Sequence, residues 1–255
     1  MNNNFDLTGK VALLSGAAGG LGAQMARALG LAGAKLVLIG RRQGPLEALA
    51  ASLGHQGIQA LAVPADVADD AQVEAGLDRA QSEYGIVDVV VCAAGCTHQA
   101  PAVSLAIQDW DRVLDVNLKG SWLVAAHAAR RLIQAQRPGS IIMISSILGH
   151  RVAGNLLPYT VSKAGLEHMT RALALEWARH GIRVNALAPG YIETDLNREF
   201  FASSAGQAMV RRIPQRRLGR AGDLDGALLL LASDASSYMT GSSIVVDGGH
   251  LQSTL

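Results

Sequence analysis

Short aliphatic runs alternate with Ala/Leu-rich stretches along the whole sequence, and this alternation constrains the fold more than any other feature. Seven such runs occur, at residues 10–15, 35–40, 58–63, 87–92, 140–145, 182–188 and 243–248. Several are apolar at consecutive positions, as expected for parallel strands that are covered on both faces. The stretches between them, such as residues 20–33 and 157–180, have helical spacing. The pattern predicts a doubly wound α/β fold with a seven-stranded parallel sheet, and we place no domain boundary within residues 1–255.

Composition excludes several classes of protein. The net charge of +1 gives no reason to expect binding to nucleic acid or to an anionic membrane. No stretch approaches the ~18 consecutive apolar residues of a membrane span, and the first ten residues lack the apolar run of a signal peptide. The two cysteines, Cys92 and Cys96, do not have the spacing of a zinc site. We therefore expect a cytoplasmic protein with reduced thiols and no metal.

The first strand is followed by the glycine-rich segment "SGAAGGLG", residues 15–22. Gly16, Gly20 and Gly22 lie between a strand and a helix, where glycine permits a tight turn and a close approach of the backbone to a ligand. The unpaired N–H groups at the start of the helix favour a phosphate. The segment predicts nucleotide binding, although its spacing alone does not identify a family.

An acid, Asp66, follows the third strand on the edge of the sheet where such folds bind ligands. Its carboxylate is placed to accept a hydrogen bond from an adenine amino group, with Val67 against the ring. An equally good interpretation is that Asp66 caps the helix that begins near Asp69.

Tyr159 and Lys163 are four residues apart in a long amphipathic stretch, so their side chains share one helical face. An ammonium beside a phenol lowers the pKa of the phenol. Ser146 ends the fifth strand, where its hydroxyl can donate to a carbonyl, and Asn117 lies in a helical stretch where it can bind water or a backbone group.

Together with Ala93-Ala94-Gly95 and Pro189-Gly190, these motifs resemble, in order and spacing, the short single-domain branch of the short-chain dehydrogenase/reductase family, in particular members similar to 3-oxoacyl-(acyl-carrier-protein) reductase. The resemblance covers essentially the whole chain. It implies a Rossmann-like domain and a nicotinamide cofactor. It further implies that Tyr159 is the general acid/base, that Lys163 lowers its pKa and binds the nicotinamide ribose, that Ser146 binds the substrate oxygen, and that Asn117 holds a relay water.

The resemblance also implies the cofactor contacts, which are Gly16, Ala18, Gly19, Leu21, Gly22, Arg41, Arg42, Asp66, Val67, Ala94, Gly95, Tyr159, Lys163, Pro189, Ile192 and Thr194. Two positions depart from the family pattern. Ser15 replaces the usual Thr and keeps the hydroxyl. Ala93 replaces the usual Asn, and the lost amide is expected to loosen the centre of the sheet or the edge that faces the cofactor.

The second strand ends at Gly40, where relatives that prefer NAD place an acid, and Arg41 and Arg42 follow directly. No acidic residue occurs between Asp6 and Glu47. Arginine at this point accommodates a 2′-phosphate, so we expect NADP(H) to be preferred over NAD(H), with Arg41 as the main contact. Two solvated arginines that open a helix would leave the preference undecided.

The substrate pocket is expected around Cys96, His98, His150, Leu156 and Tyr191, and an apolar lid near residues 193–215 with Leu196, Phe200, Phe201 and Met209. Packing of this segment against the body is the alternative. The five arginines between Arg211 and Arg220 form either a solvated face or a contact for a phosphorylated carrier. Four other histidines, His55, His127, His168 and His180, are interpreted as structural or solvated.

The sequence thus predicts an NADPH-dependent reductase of a ketone or a β-ketoacyl thioester. An NAD-dependent alcohol or polyol dehydrogenase is the main alternative, and a non-catalytic redox sensor is a weaker one because Tyr159 and Lys163 are both present. The family usually forms tetramers by pairing the helices near residues 117–134 and 157–180. We expect the same here, through an apolar stripe of Leu166, Met169, Leu173 and Trp177.

Overall fold

The structure, a computed structural model, describes residues 4–194 and 197–253. Seven strands form one parallel sheet in the order β3-β2-β1-β4-β5-β6-β7. This confirms the predicted fold class. The strands are β1 (Val11–Ser15), β2 (Lys35–Gly40), β3 (Ala60–Pro64), β4 (Val89–Cys92), β5 (Gly139–Ile144), β6 (Ile182–Pro189) and β7 (Ser243–Val246).

Helices connect the strands and cover both faces of the sheet. They are α1 (Gly20–Leu31), α2 (Gln43–Gly54), α3 (Asp70–Tyr84), α4 (Ile107–Leu114), α5 (Gly120–Gln134), α6 (Leu157–Trp177), α7 (Arg198–Ala202), α8 (Ser204–Val210) and α9 (Asp225–Ala232). In the described part of the chain, no helix is both long and apolar enough to cross a membrane.

Alternation of side chains along the strands divides the core into two layers. In β1, Val11 and Leu13 pack with α3, α5 and α6, whereas Ala12 and Leu14 pack with α1, α2 and α9. Successive strand residues point to opposite faces, so a strand that lies between two helical layers must be apolar at every position. This explains the continuous aliphatic runs in the sequence.

A π-helical turn, Asp115–Lys119, joins α4 to α5. It widens the helix by one residue, and such single turns are frequent at functional sites. The side chain of Asn117, at the centre of the turn, is fully buried. The turn therefore places a buried amide beside the segment that follows β4.

Candidate active site

The segments that follow β1, β4, β5 and β6 meet at the carboxyl edge of the sheet. Parallel strands place all their carboxyl ends on one edge, and the crevice there is where open α/β sheets bind ligands. The predicted cofactor and catalytic residues follow these strand ends, so the fold brings together residues that are far apart in the chain.

The glycine loop leaves no space for side chains. Gly16 has φ +71°, and a Cβ there would lie 2.7 Å from the Cα atom of Ala94. A Cβ on Gly22 would lie 2.3 Å from the carbonyl oxygen of Gly16. The N-cap residue of α1, Gly19, has no side-chain cap, and the first turn contains no acid. The loop thus offers bare backbone and a helix N-terminus, which fits the pyrophosphate of a dinucleotide.

Ser15 fixes the neighbouring segment after β4. Its Oγ accepts hydrogen bonds from the backbone N–H groups of Ala93, at 3.1 Å, and Ala94, at 3.2 Å. The hydroxyl that Ser15 shares with the usual Thr therefore anchors this turn. The methyl of Ala93 packs against the apolar layer that contains α1, so the missing amide is replaced there by an apolar contact.

The loop after β6 reaches the same place from the other side. If Gly20 carried a Cβ atom, that atom would lie 3.8 Å from Cγ2 of Thr194. Ile192 is buried and pairs with Gly219. Of the residues expected to border the nicotinamide, Thr194 thus lies opposite the glycine loop.

Asp66 does not cap α3. The N-cap is Asp69, whose carboxylate accepts from the N–H of Gln72. The Oδ1 atom of Asp66 accepts from the N–H of Ala68 at 3.0 Å, a local turn that fixes the carboxylate at the end of β3. The capping interpretation is wrong, and a contact of Asp66 with adenine stays a prediction.

Arg41 and Arg42 are exposed at the end of β2. Among residues 4–194 and 197–253, neither side chain forms a hydrogen bond or an ion pair. The charge of Arg41 is close enough to Cys96 to lower the pKa of that thiol, although burial, the larger effect, raises it. Arg41 therefore acts at the carboxyl edge, where a cofactor ribose would lie.

Ser146, Tyr159 and Lys163 converge between β5 and α6. A hydrogen bond to Ser146 favours the ionised form of Tyr159, and the Nζ atom of Lys163 lies 5.6 Å from the centre of the Tyr159 ring. Nζ also donates to the carbonyl oxygen of Ile144 at 2.8 Å. The cation is thus fixed at the end of β5, beside the phenol.

The pKa of Tyr159 is shifted in the direction opposite to the one expected from its neighbour Lys163. Burial raises the pKa of Tyr159 above its ordinary value and outweighs the hydrogen bond from Ser146. Burial also lowers the pKa of Lys163 to about 8. The lowering of the Tyr159 pKa by Lys163 therefore stays a prediction.

Asn117 uses its side chain to fix the loop after β4. Its Oδ1 atom accepts from the N–H of Cys96 at 2.8 Å, and its Nδ2 atom donates to the carbonyl of Cys96 at 2.9 Å. Nδ2 also donates to Ser162 Oγ at 3.0 Å, and Ser162 donates to the carbonyl of Tyr159. Of the two roles considered, water or backbone group, the structure has the backbone group. The relay water stays a prediction.

The residues expected in the substrate pocket have different surroundings. The rings of Tyr191 and Phe201 make an edge contact at 5.7 Å, and Tyr191 also lies 5.4 Å from His250. His98 lies at the rim, 3.4 Å from Asp109. Leu156 is partly buried just before α6, and the thiol of Cys96 faces the carbonyl of Arg112.

His150 has contacts that the sequence did not indicate. Its Nε2 atom lies 3.3 Å from Glu167 Oε1 and 3.5 Å from Ser243 Oγ. These partners lie on α6 and at the first residue of β7, which the sheet register places level with Cys92 at the end of β4. A pocket-lining role for the imidazole finds no support in these contacts.

The predicted lid contains two short helices, α7 and α8. Phe201 is buried, Phe200 is about half exposed, and Leu196 lies outside the described residues. Beyond the lid, the five arginines from Arg211 to Arg220 are all exposed, and Arg217 pairs with Asp223 at 2.6 Å. The exposure agrees with a solvated face.

Sequence reasoning missed three residues near the site. Ser162 links Asn117 to α6, and Arg151 donates to the carbonyl of His250 and so fixes the segment beside Tyr191. Glu167 is buried one turn after Lys163. A signal was available only for Glu167, because the spacing i, i+4, i+8 places it on the face of Tyr159 and Lys163.

Comparison with known proteins supports this interpretation of the site. Residues 16–250 match the family model described as enoyl-(acyl carrier protein) reductase. The chain is 38% identical to the 2-dehydro-3-deoxy-D-gluconate 5-dehydrogenase of Escherichia coli, over 97% of each chain. It is 35% identical to the D-threitol dehydrogenase of Mycolicibacterium smegmatis, over 97% of this chain and 95% of the relative.

Among solved structures, a gluconate 5-dehydrogenase from Burkholderia cenocepacia in complex with NADP and tartrate superimposes with a TM-score of 0.94. The two chains are 35% identical over 99% of each. These relatives carry names of polyol and sugar-acid dehydrogenases, so the resemblance to 3-oxoacyl-(acyl-carrier-protein) reductases is only loose.

Proposed function

We propose a function from one premise: this chain belongs to the short-chain dehydrogenase/reductase family and is an NAD(P)-dependent oxidoreductase of CH–OH and C=O groups. The proposed reaction is the reduction of a ketone to a secondary alcohol with NADPH. The convergence of Ser146, Tyr159 and Lys163 at the end of β5 carries the proposal. These side chains lie on the same sheet edge as the glycine loop, so a bound dinucleotide and a carbonyl can meet there.

A nicotinamide cofactor held by the glycine loop, Thr194 and Lys163 would supply the hydride that the carbonyl carbon receives. Tyr159 donates its hydroxyl proton to the oxygen that becomes the alcohol. The Ser146 hydroxyl donates a hydrogen bond to the same oxygen and stabilises the charge that develops on it. Lys163 remains a cation beside the phenol and stabilises the phenolate left after proton transfer. Asn117 keeps the loop after β4 in place.

The preference for NADP(H) rests on the end of β2. Gly40 has no carboxylate to accept from ribose hydroxyls, and the exposed Arg41 and Arg42 are available to a 2′-phosphate. Charge-assisted hydrogen bonds of this kind contribute roughly 1.5–3 kcal/mol each. The NADP in the Burkholderia structure is in keeping with this proposal.

We also retain the prediction of a cytoplasmic protein.

For the substrate, we propose a medium-sized ketone or β-ketoacyl thioester with an apolar part. The edge-to-face rings of Tyr191 and Phe201 would offer an apolar wall to the substrate. Phe201 belongs to the proposed lid, which would exclude water during hydride transfer.

A polyol or a hydroxylated acid is the second candidate. The rim of the site carries His98, Asp109 and Arg112 in one polar cluster, with Arg112 Nη2 3.0 Å from Asp109 Oδ1. The names of the threitol and deoxygluconate dehydrogenases point to the same class. In this case the enzyme would oxidise the alcohol.

The test is a spectrophotometric panel, with each substrate assayed against both cofactors. Ketones and β-ketoacyl thioesters are offered with NADPH and NADH, and threitol and gluconate with NADP⁺ and NAD⁺. Turnover of the apolar ketones with a higher kcat/KM for NADPH is expected. Turnover of the polyols or acids alone would favour the second candidate. No turnover of any carbonyl or alcohol would refute the proposed reaction.

A further inference from the structure

A buried carboxylate lies directly behind the proposed catalytic residues. Glu167 is only 4% exposed, and its Oε2 atom has no hydrogen-bond partner among the described residues. Burying a carboxylate is costly unless it is paired and hydrogen-bonded. A half-satisfied buried acid therefore calls for an explanation, and the mechanism above does not use it.

The other oxygen of Glu167 is held from two directions. His150, in the turn after β5, places Nε2 3.3 Å from Oε1, and Ser243, the first residue of β7, donates its hydroxyl to Oε1 at 3.2 Å. The backbone of Gly149 packs close by, since a Cβ there would lie 3.1 Å from Cγ of Glu167 and 2.9 Å from the carbonyl of Lys163. The carboxylate is thus fixed in one position.

That position is on the catalytic face of α6. Tyr159, Lys163 and Glu167 follow one another at intervals of four residues, so they form a single row on the helix. Among the described residues, the titratable groups that act on Lys163 are Cys92 and Cys96, from β4 and the loop after it, and Glu167. A thiol carries charge only when ionised, and burial raises the pKa of both thiols, that of Cys96 and that of Cys92, the latter to about 12. Glu167 is then the acid best placed to balance the ammonium.

We propose that Glu167 is a positioning residue for this site: its buried carboxylate, held by His150 and Ser243, provides the negative charge that keeps the Lys163 ammonium protonated beside Tyr159. Burial disfavours the ammonium, and a fixed anion one helical turn away opposes that effect. His150 faces Glu167 from the other side, with Nε2 3.3 Å from Oε1. The inference rests on the proposed role of Lys163.

The test measures the ionisation of Lys163 directly, in the protein without cofactor. The chain contains four lysines, so a ¹³C-lysine NMR spectrum is simple, and Lys163→Gln assigns the signal. In Glu167→Gln, the midpoint of the Lys163 titration is expected to fall by about one pH unit, the lower end of the effect of a close opposite charge. Glu176→Gln, the same change at an exposed position of α6, is the control and leaves the midpoint in place.

Two further variants separate charge from packing. Glu167→Asp keeps the charge and restores most of the midpoint. His150→Gln keeps a donor for Glu167 and leaves the carboxylate charge in place, so the Lys163 midpoint stays at or above the wild-type value. A fall in His150→Gln equal to that in Glu167→Gln would show a packing effect and overturn the proposal, as would an unchanged midpoint in a folded Glu167→Gln. If Glu167→Gln does not fold, His150→Gln is compared with the wild type alone: a Lys163 midpoint below the wild-type value would overturn the proposal, and a midpoint at or above that value would support it.

Activity gives a second readout. In Glu167→Gln, the high-pH limb of kcat/KM with NADPH is expected to move to lower pH, together with the Lys163 midpoint. At low pH, where Lys163 is protonated in both proteins, kcat/KM of the variant and of the wild type should converge. A uniform loss at every pH would contradict the proposal. If the wild-type protein turned over no carbonyl substrate, the proposed function would fail while the NMR result would still stand.

Discussion

The proton at the site is carried by one hydroxyl group, that of Tyr159. Replacing Tyr159 by Phe removes this hydroxyl and keeps the ring beside Lys163. We expect kcat to fall about 100- to 10,000-fold, the usual contribution of general acid–base catalysis, with NADPH binding unchanged by fluorescence titration. Tyr238→Phe, at a fully exposed position, serves as the matched control. If Tyr159→Phe kept more than about a tenth of the activity, the proton transfer would have to be assigned to another group.

Cofactor choice is also decided by single residues. A Cβ on Gly40 would lie 3.6 Å from Leu46 Cδ2, an ordinary contact, so an aspartate can be accommodated there. In Gly40→Asp the new carboxylate repels a 2′-phosphate and accepts from the ribose hydroxyls. We expect the ratio of kcat/KM for NADPH to that for NADH to fall at least about tenfold.

Arg41→Asp is expected to change the same ratio in the same direction, because it removes the proposed phosphate contact. Arg79→Asp, at an exposed position of α3, controls for the change in net charge. A wild-type protein that used both cofactors equally, or an Arg41→Asp variant with an unchanged ratio, would refute the proposed role of Arg41.

At the scale of elements, the glycine loop is the least tolerant segment of the site. A methyl on Gly22 would lie 2.3 Å from the carbonyl of Gly16, and both partners are backbone, so the loop must move. We expect Gly22→Ala to destabilise the protein by about 1–3 kcal/mol and to abolish NADPH binding, measured by thermal unfolding and by fluorescence titration.

Gly54→Ala, at the end of α2, is the control for this change. Nothing lies within 4 Å of the added methyl there, and alanine is the better helix former. Its unfolding temperature is expected to equal or exceed that of the wild type. Normal NADPH binding by Gly22→Ala would show that the loop does not hold the pyrophosphate.

Elements that follow a regular period could be predicted from the sequence. The strands and the long helices lie within about two residues of their predicted positions, because burial on both faces demands continuous apolar runs. The cap of α3 could not be decided. Asp66 and Asp69 are both suitable, and the choice depends on the bond from Gln72 to Asp69. The contacts of His150 depend on Ser243, which comes from a strand 93 residues away, so no local pattern could have indicated them.

For the whole molecule, the structure corrects the surface that we expected to pair subunits. Leu166 and Leu173 are buried against the chain's own sheet, and Met169 and Trp177 pack on the same layer. This stripe is core. The apolar side chains that α5 and α6 expose are different ones, namely Trp122, Leu157, Val161 and Leu175. Helical spacing identified an apolar face but could not tell which neighbour covers it.

We still expect a tetramer, now through this outward set. Leu175 is 83% exposed and lies on α6, one of the two helices through which the family usually pairs subunits. Light scattering of the wild type at micromolar concentration should give a multiple of the 26.6 kDa chain mass. Leu175→Glu should reduce this mass, whereas Val103→Glu, at an exposed position of the 3₁₀ turn Ala102–Ser104, should not. A monomeric wild type would contradict the prediction.

The π-helical turn at Asp115–Lys119 has a consequence for how this chain can change in length. Such a turn is in effect one residue inserted into an α-helix. Deleting any one of these five residues would allow α4 and α5 to join as a regular helix, and it would rotate one half against the other by about 100°. The backbone hydrogen bonding would improve, but Asn117 would turn away from Cys96 or be lost. Among variants with insertions and deletions, those that shorten this segment should therefore remain folded yet inactive.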